Sequence, residues 1–321
     1  VSIPARDIFR RVREIQVRTG RQVADVLAGH YVSVFRGSGI EFDEVRPYLP
    51  GDEVRSIDWN VTARMGQPYV KRFVEERQLT MMLMADVSAS QEFGSGRRSK
   101  REVAAELCAL LAFSATLNND KVGLALFHGE VEQYIPPRRG QKHSLRVVRE
   151  VLSHRPQNTP KAGQRKRFRW LPFGQRRSWW KTGRQATSIA GAMEFLQSVC
   201  RRRAVCFVVS DFFDDDYLRS LQMASRRHDV IAVLITDPRE MELPDVGLMN
   251  LLDPETGAEI QCDTASSEFR RVYRQQSEAR ITNLEQSFRK AKIDFVQIST
   301  DSSIVDPLKN FFRMREQRRQ R

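Results

Sequence analysis

The chain has 321 residues, 40% of them hydrophobic and 29% charged, with a formal net charge of +13. Such a composition suits a folded globular protein, and no run approaches the roughly 18–20 apolar residues that a membrane span requires. The basicity is regional: between Pro136 and Arg184 fifteen Lys/Arg face one acid, Glu150, and the remainder sums to −1.

In chain order, residues 6–28 carry Ile8, Val12, Ile15, Val23, Val26 and Leu27 at helical spacing, interrupted at Gly20, and residues 31–35 read as a short strand. Their polar start (Arg6, Asp7, Arg10, Arg11, Arg13) has no apolar core of a signal peptide, so a cytoplasmic protein without a transmembrane segment is expected. Residues 36–77 mix polar and apolar side chains without a helical period, and Pro47, Pro50 and Pro68 exclude long helices; short strands and loops are expected there. Their charges lie close to aromatic groups (Arg46 by Tyr48; Asp52, Arg55 and Asp58 by Trp59), which fits either ion-pair staples or a docking surface.

From residue 79 a regular alternation begins. Strand 79–86 leads to helix 97–117, whose stripe is Val103, Ala104, Leu107, Leu110, Leu111, Ser114 and Leu117. Strands 121–127 and 131–135 and helix 141–153 follow. Periodicity is lost over 155–184. It returns as helix 188–202, strand 204–210, helix 215–227, strand 229–235, a hairpin over 248–262, helix 266–291, strand 294–298 and helix 303–314, with 313–321 a frayed basic tail. Strands alternating with helices predict an α/β fold, a mostly parallel Rossmann-like sheet with helices on both faces, preceded by a small strand-rich extension. The expected division is 1–77, 78–300 with a basic insertion at 155–184, and 301–321. Cys108, Cys200, Cys206 and Cys262 form no C-x-x-C and read as buried free thiols.

The stretch Leu79–Ser90, LTMMLMADVSAS, is apolar in six of its first seven residues, as in a strand buried on both faces, and then runs out in Asp86, Ser88 and Ser90. The carboxyl edge of an open parallel sheet is where ligands bind. Two other strand or helix junctions offer oxygen: Thr187, opening a helix, and Asp211, ending a strand. Two carboxylates and three hydroxyls make a hard, oxygen-only set for Mg²⁺ or Mn²⁺, and an ion with so little charge around it would take a carboxylate from outside.

The pattern D-x-S-x-S, then Thr, then Asp resembles the metal-ion-dependent adhesion site (MIDAS) of von Willebrand factor A domains. The resemblance implies that Asp86, Ser88, Ser90, Thr187 and Asp211 arrange a Mg²⁺ whose shell a partner protein's carboxylate completes. Upstream, GSGIEF at 37–42, Arg46-Pro47-Tyr48, Pro50-Gly51-Asp52, RSIDW at 55–59 and Ala63-Arg64 are similar to the signature of bacterial domain-of-unknown-function family fifty-eight, over about residues 30–300. Members are von Willebrand A-like, and their genes tend to neighbour MoxR-type AAA+ ATPases. The implied role is non-catalytic: metal-dependent protein binding as partner of such an ATPase, with an ion whose retention needs the partner. Where that family shows Gly-Thr-Asp-Leu, this chain has Ala186-Thr187-Ser188-Ile189 and lacks the neighbouring carboxylate.

Residues 161–184 interleave Phe168, Trp170, Phe173, Trp179 and Trp180 with eight Lys/Arg before Gly183-Arg184. That mixture fits a surface loop whose charge has no single partner, an acidic protein or an anionic membrane surface or, less well, a nucleic-acid strand. No G-x-x-x-x-G-K-[ST] and no H-E-x-x-H are present. The enzymatic alternative is a Mg²⁺-dependent aspartyl-phosphate phosphatase with Asp86 as nucleophile; it would want Asp at position 88 and a positioned lysine.

Overall fold

The computed structural model describes residues 39–76, 79–154, 187–214, 216–252 and 259–320. The helix and strand expected before residue 36, the 161–184 segment and the turn at 254–257 lie outside the described residues. The chain divides between Leu79 and Thr80 into two compact units.

In the smaller unit, β1 (Gly39–Pro47) pairs antiparallel with β2 (Tyr69–Glu76), with a register shift between Phe42 and Glu44. The link contains a helix where only strands and loops were expected, α1 (Trp59–Met65). Its seven residues fit between Pro50 and Pro68. Asp58 starts it by accepting from the Asn60 and Val61 amides, and Gly66, at φ +70°, ends it in the left-handed region. Ion pairs staple the loops: Arg46 donates twice to Asp52, at 2.8 and 2.7 Å, and Asp52 also accepts from the Leu49 amide.

The larger unit is built on six strands: β3 (Thr80–Asp86), β4 (Lys121–Phe127), β5 (Val131–Arg138), β6 (Val205–Ser210), β7 (Asp229–Thr236) and β10 (Asp294–Ser299). Their order is β10-β7-β6-β3-β4-β5; every neighbouring pair is parallel except β4–β5. The chain winds outward from β3 in one direction and from β6 in the other, so the topological switch lies between these two strands, and the carboxyl end of such a switch is where open α/β sheets bind ligands. The antiparallel edge strand β5 runs through Pro136 and Pro137, a position where a missing N–H is harmless.

Helices α2 (Lys100–Leu117), α3 (Gln141–Ser153), α4 (Ile189–Val199), α5 (Leu218–Ser225), α7 (Ser267–Lys290) and α8 (Val305–Gln320) surround the sheet; α6 (Pro238–Met241) is a single turn, and β8 (Leu248–Leu252) with β9 (Glu259–Asp263) forms a separate ribbon. Met82 and Met84 of β3 pack with Met193 and Leu196 of α4, Leu221 of α5 and Phe288 of α7. Side chains alternate along a strand, so Met81, Leu83 and Ala85 face the other layer, where α2 runs. That helix is buried from Lys100 to Ala115 except at Glu102, which explains its Ala/Leu-rich composition. Leu117, expected on its buried stripe, is exposed at the last position. Helix α8 continues to Gln320 where a frayed tail was expected, because Arg315 bonds both Asp229 and Asp294 and Arg318 joins Asp294. The four cysteines are buried as free thiols. No helix among the described residues is long and apolar enough to cross a membrane.

Candidate functional site

At the switch point the sequence leaves a buried strand for polar residues, and hydrogen bonds decide where these go. The Ser88 amide donates to one Asp86 carboxylate oxygen at 2.9 Å, turning the chain back at the end of β3. Residues Ala89–Glu92 form one 3₁₀ turn, which places the Ser88 and Ser90 hydroxyls 2.9 Å apart. Ser90 Oγ donates to Asp211 Oδ2 at 2.7 Å, across 121 residues of sequence. Four of the five expected residues therefore form one connected cluster. Asp86, Ser88 and Asp211 are buried, while Ser90 is half-buried and marks the side open to solvent.

Thr187 reaches the same sheet edge from a third loop. The Ser188 amide donates to the His128 carbonyl beyond β4 at 2.8 Å, and the Ile189 amide donates to Asp214 Oδ2, in the loop of Asp211, at 2.9 Å. Thr187 is buried between these ties. Ser188, standing where members of the resembled family show Asp, caps α4 by accepting from the Gly191 amide. Asp214 thus brings a carboxylate to the start of α4 from a neighbouring loop.

Besides Asp214, sequence reasoning missed Ser210, Lys100 with its partner Glu240, and Arg280. Ser210 Oγ donates to the second Asp86 oxygen at 2.7 Å and accepts from the Phe212 amide, tying the ends of β3 and β6 together. Its place beside Asp211 was the available signal. Lys100, at the first position of α2, has a fully buried side chain; its Nζ donates to Asp211 Oδ2 at 2.8 Å and to Glu240 Oε1 at 2.6 Å. Nothing in its local sequence marks it, since a lysine beginning a helix reads as a surface residue. Arg280 of α7 donates to the Asp211 carbonyl at 3.1 Å and lies 3.9 Å over the ring of Phe213. Phe212 between them sits at φ +52°, a strained conformation for a bulky residue, of the kind that collects at functional sites.

The first loop can fold against α2 only because residue 94 is glycine. A Cβ there would stand 2.5 Å from the Arg98 carbonyl oxygen and 2.6 Å from Ser99 Cα, both backbone atoms. Ser99 then caps α2 reciprocally with Glu102. Arg101 holds the loop from beneath, donating to the Val87 and His154 carbonyls.

Burial, with Asp211 alongside, pushes the Asp86 carboxyl up to about 7 against the pull of its Ser210 and Ser88 hydrogen bonds. Burial opposes the Lys100 ammonium, but Asp211 and Glu240 outweigh it and hold its pKa above the ordinary lysine range. Glu240 moves up because burial outweighs Lys100.

The donor set fits a hard divalent cation. It is all oxygen, and Asp86 lies where a positive charge would be welcome. The Gln91 amide, wholly buried beside Ser90, finds no hydrogen-bond partner for its oxygen or its nitrogen. Among the described residues no three His, Cys, Asp or Glu side chains gather to hold a metal by themselves. An ion at this edge would have the Asp86 carboxylate and the Ser88 and Ser90 hydroxyls for ligands.

The family model described as "Protein of unknown function DUF58" matches residues 44–282. An uncharacterized protein of Mycobacterium tuberculosis strain H37Rv is 31% identical over 247 residues, 77% of this chain and 70% of that protein. The uncharacterized YeaD of Bacillus subtilis is 28% identical over 107 residues, 33% of this chain and 25% of that one. Among solved structures, the hypothetical protein BatB from Bacteroides thetaiotaomicron is similar over 74% of this chain and 99% of its own, at 15% identity and a TM-score of 0.43. The SpRpn10 VWA domain is similar over 73% and 94%, at 12% identity and a TM-score of 0.35.

Proposed function

The chain belongs to the DUF58 family, and on that premise we propose that it is a non-catalytic protein-binding module of the cytoplasm that presents a divalent cation to a partner's carboxylate, the partner being a MoxR-type AAA+ ATPase. One observation carries the reading: Asp86, Ser88, Ser90 and Asp211 converge at the switch point of a von Willebrand A-like sheet, with Ser90 on the solvent side. Asp86, Ser88 and Ser90 would hold Mg²⁺ or Mn²⁺, with Thr187 and Asp211 orienting them, and the bound ion supplies a positive contact for a Glu or Asp of the partner. The chain's own residues do the positioning. Ser210 fixes the Asp86 carboxylate, Ser90 is aligned by Asp211, and Lys100 and Arg280 hold Asp211 from behind. A charge-assisted carboxylate contact is strong and directional, which suits recognition, while the ATPase would supply the energy for remodelling.

The test is capture of partners from a native lysate by the full chain, in Mg²⁺ and in chelator, read by mass spectrometry. A MoxR-type ATPase retained in Mg²⁺, and lost in chelator and with Asp86→Ala, is the expected result. Equal retention in all three conditions contradicts it.

A second reading is favoured by one observation, the buried Lys100, since an aspartyl-phosphate phosphatase would need a positioned lysine. Its Nζ is bonded to Asp211 and Glu240, and position 88 is Ser. Mg²⁺-dependent hydrolysis of a generic aryl phosphate, abolished by Asp86→Asn, would establish that reading in place of the first.

A further inference from the structure

We propose that Lys100 is a built-in counter-cation that stabilises the oxygen cluster in its ion-free state and keeps its affinity for a divalent ion low, so that firm binding awaits the partner's carboxylate. The inference deepens the metal-dependent reading above and rests on it.

Three observations carry it. First, Lys100 Nζ and Ser90 Oγ share one oxygen, Asp211 Oδ2, at 2.8 and 2.7 Å. The ammonium is thus one hydrogen-bonded atom away from a hydroxyl expected to hold the ion. Second, its side chain is fully buried, and its other partner, Glu240, is fixed in turn. The Asp237 amide donates to Glu240 Oε2 within the capping box of α6. A buried lysine held between two carboxylates is a lasting charge, weakly screened because it is shut off from bulk solvent. Third, a cation at the first position of α2 works against the helix dipole, so helix stability does not account for its place.

The consequence follows from Coulomb's law. Asp86, Asp211 and Glu240 would repel one another strongly without a neighbouring cation. Lys100 supplies that cation from within the chain, and the same positive charge repels an incoming divalent ion. Two substitutions move the ion's affinity in opposite directions. Lys100→Met removes the positive charge, and Glu240→Gln leaves that charge on Asp211 alone.

The experiment is a Mn²⁺ titration of the full chain and both variants by calorimetry, with melting temperatures at zero and saturating Mn²⁺. Lys100→Met is expected to bind Mn²⁺ about tenfold or more tighter than the parent. It should also melt lower without the ion and recover most of the difference with it. Glu240→Gln is expected to bind about threefold or more weaker. A merely structural lysine would lose affinity on removal. Parent-like or weaker binding by folded Lys100→Met overturns the inference while leaving the metal site standing, and so does unchanged affinity in Glu240→Gln should Lys100→Met fail to fold. Absence of Mn²⁺ binding by the parent and every folded variant overturns both the inference and the reading beneath it.

Discussion

Asp86 and Asp237 stand at the same edge of the same sheet, one closing β3 and the other following β7, and both are buried. Their surroundings differ. Asp237 accepts from the Ser95 amide and hydroxyl, the Thr300 hydroxyl and the Arg239 amide, so burial is outweighed and its carboxyl is held below the usual range. Asp86 accepts from the Ser210 hydroxyl and from Ser88, but burial and the second carboxylate it faces, Asp211, outweigh these bonds, so its carboxyl goes up. Asp237 has its counter-dipoles supplied by the chain and acts as a clamp on the loop at residue 95 and the end of β10. Asp86 has fewer donors and a carboxylate for a neighbour, with the nearby Lys100 ammonium bonded to that neighbour rather than to Asp86. The carboxyl of a strand-end aspartate is thus held below or above its ordinary range according to the donors and charges that reach it.

Removing the clamp gives the largest effect. Asp237→Ala strips four donors of their acceptor and ends the cap of α6, and is expected to destabilise the fold by about 3–4 kcal/mol in equilibrium denaturation. A loss under about 1 kcal/mol would mean that the two aspartates are not different in kind.

Acid comes next. A carboxyl depressed in the folded state contributes stability that is fully present above its unfolded value, about 3.9, and is lost as pH falls through the folded value. Denaturation midpoints measured between pH 5 and pH 2 should therefore fall less steeply in Asp237→Asn than in the parent. Equal slopes would remove Asp237 from the clamp role.

Asp86→Asn should do least to the fold. It keeps a polar group facing Ser210 and removes a buried charge beside Asp211, so stability without added ions should stay within about 1 kcal/mol of the parent. A larger loss would place Asp86 with Asp237 as a structural residue.

The sheet was legible because its signal is local. Val205–Ser210 and Thr80–Asp86 are apolar runs ending in polar residues, and α2 carries its Leu/Ala stripe in plain view. Asp86, Ser88, Ser90 and Asp211 were legible because each ends a strand or sits in the loop that follows one. Lys100, Glu240 and Arg280 were not: each is a charged residue in a helix, and only contacts across 111, 140 and 69 residues give it a role. Helix α1 went unread because its seven residues are too few for a period to emerge beside three prolines. Asp214, which accepts from the Ile189 amide, was hidden for the same reason as Lys100, since its partner is 25 residues away.

The most direct test is the melting temperature of the parent, Asp86→Asn and Asp237→Asn with and without saturating Mg²⁺. An ion that binds only the folded state raises stability by about 2.7 kcal/mol at a hundred times its Kd. The parent and Asp237→Asn are expected to rise by similar amounts from different starting points, and Asp86→Asn is expected not to rise. An equal rise in Asp86→Asn, or none in the parent, would contradict the account.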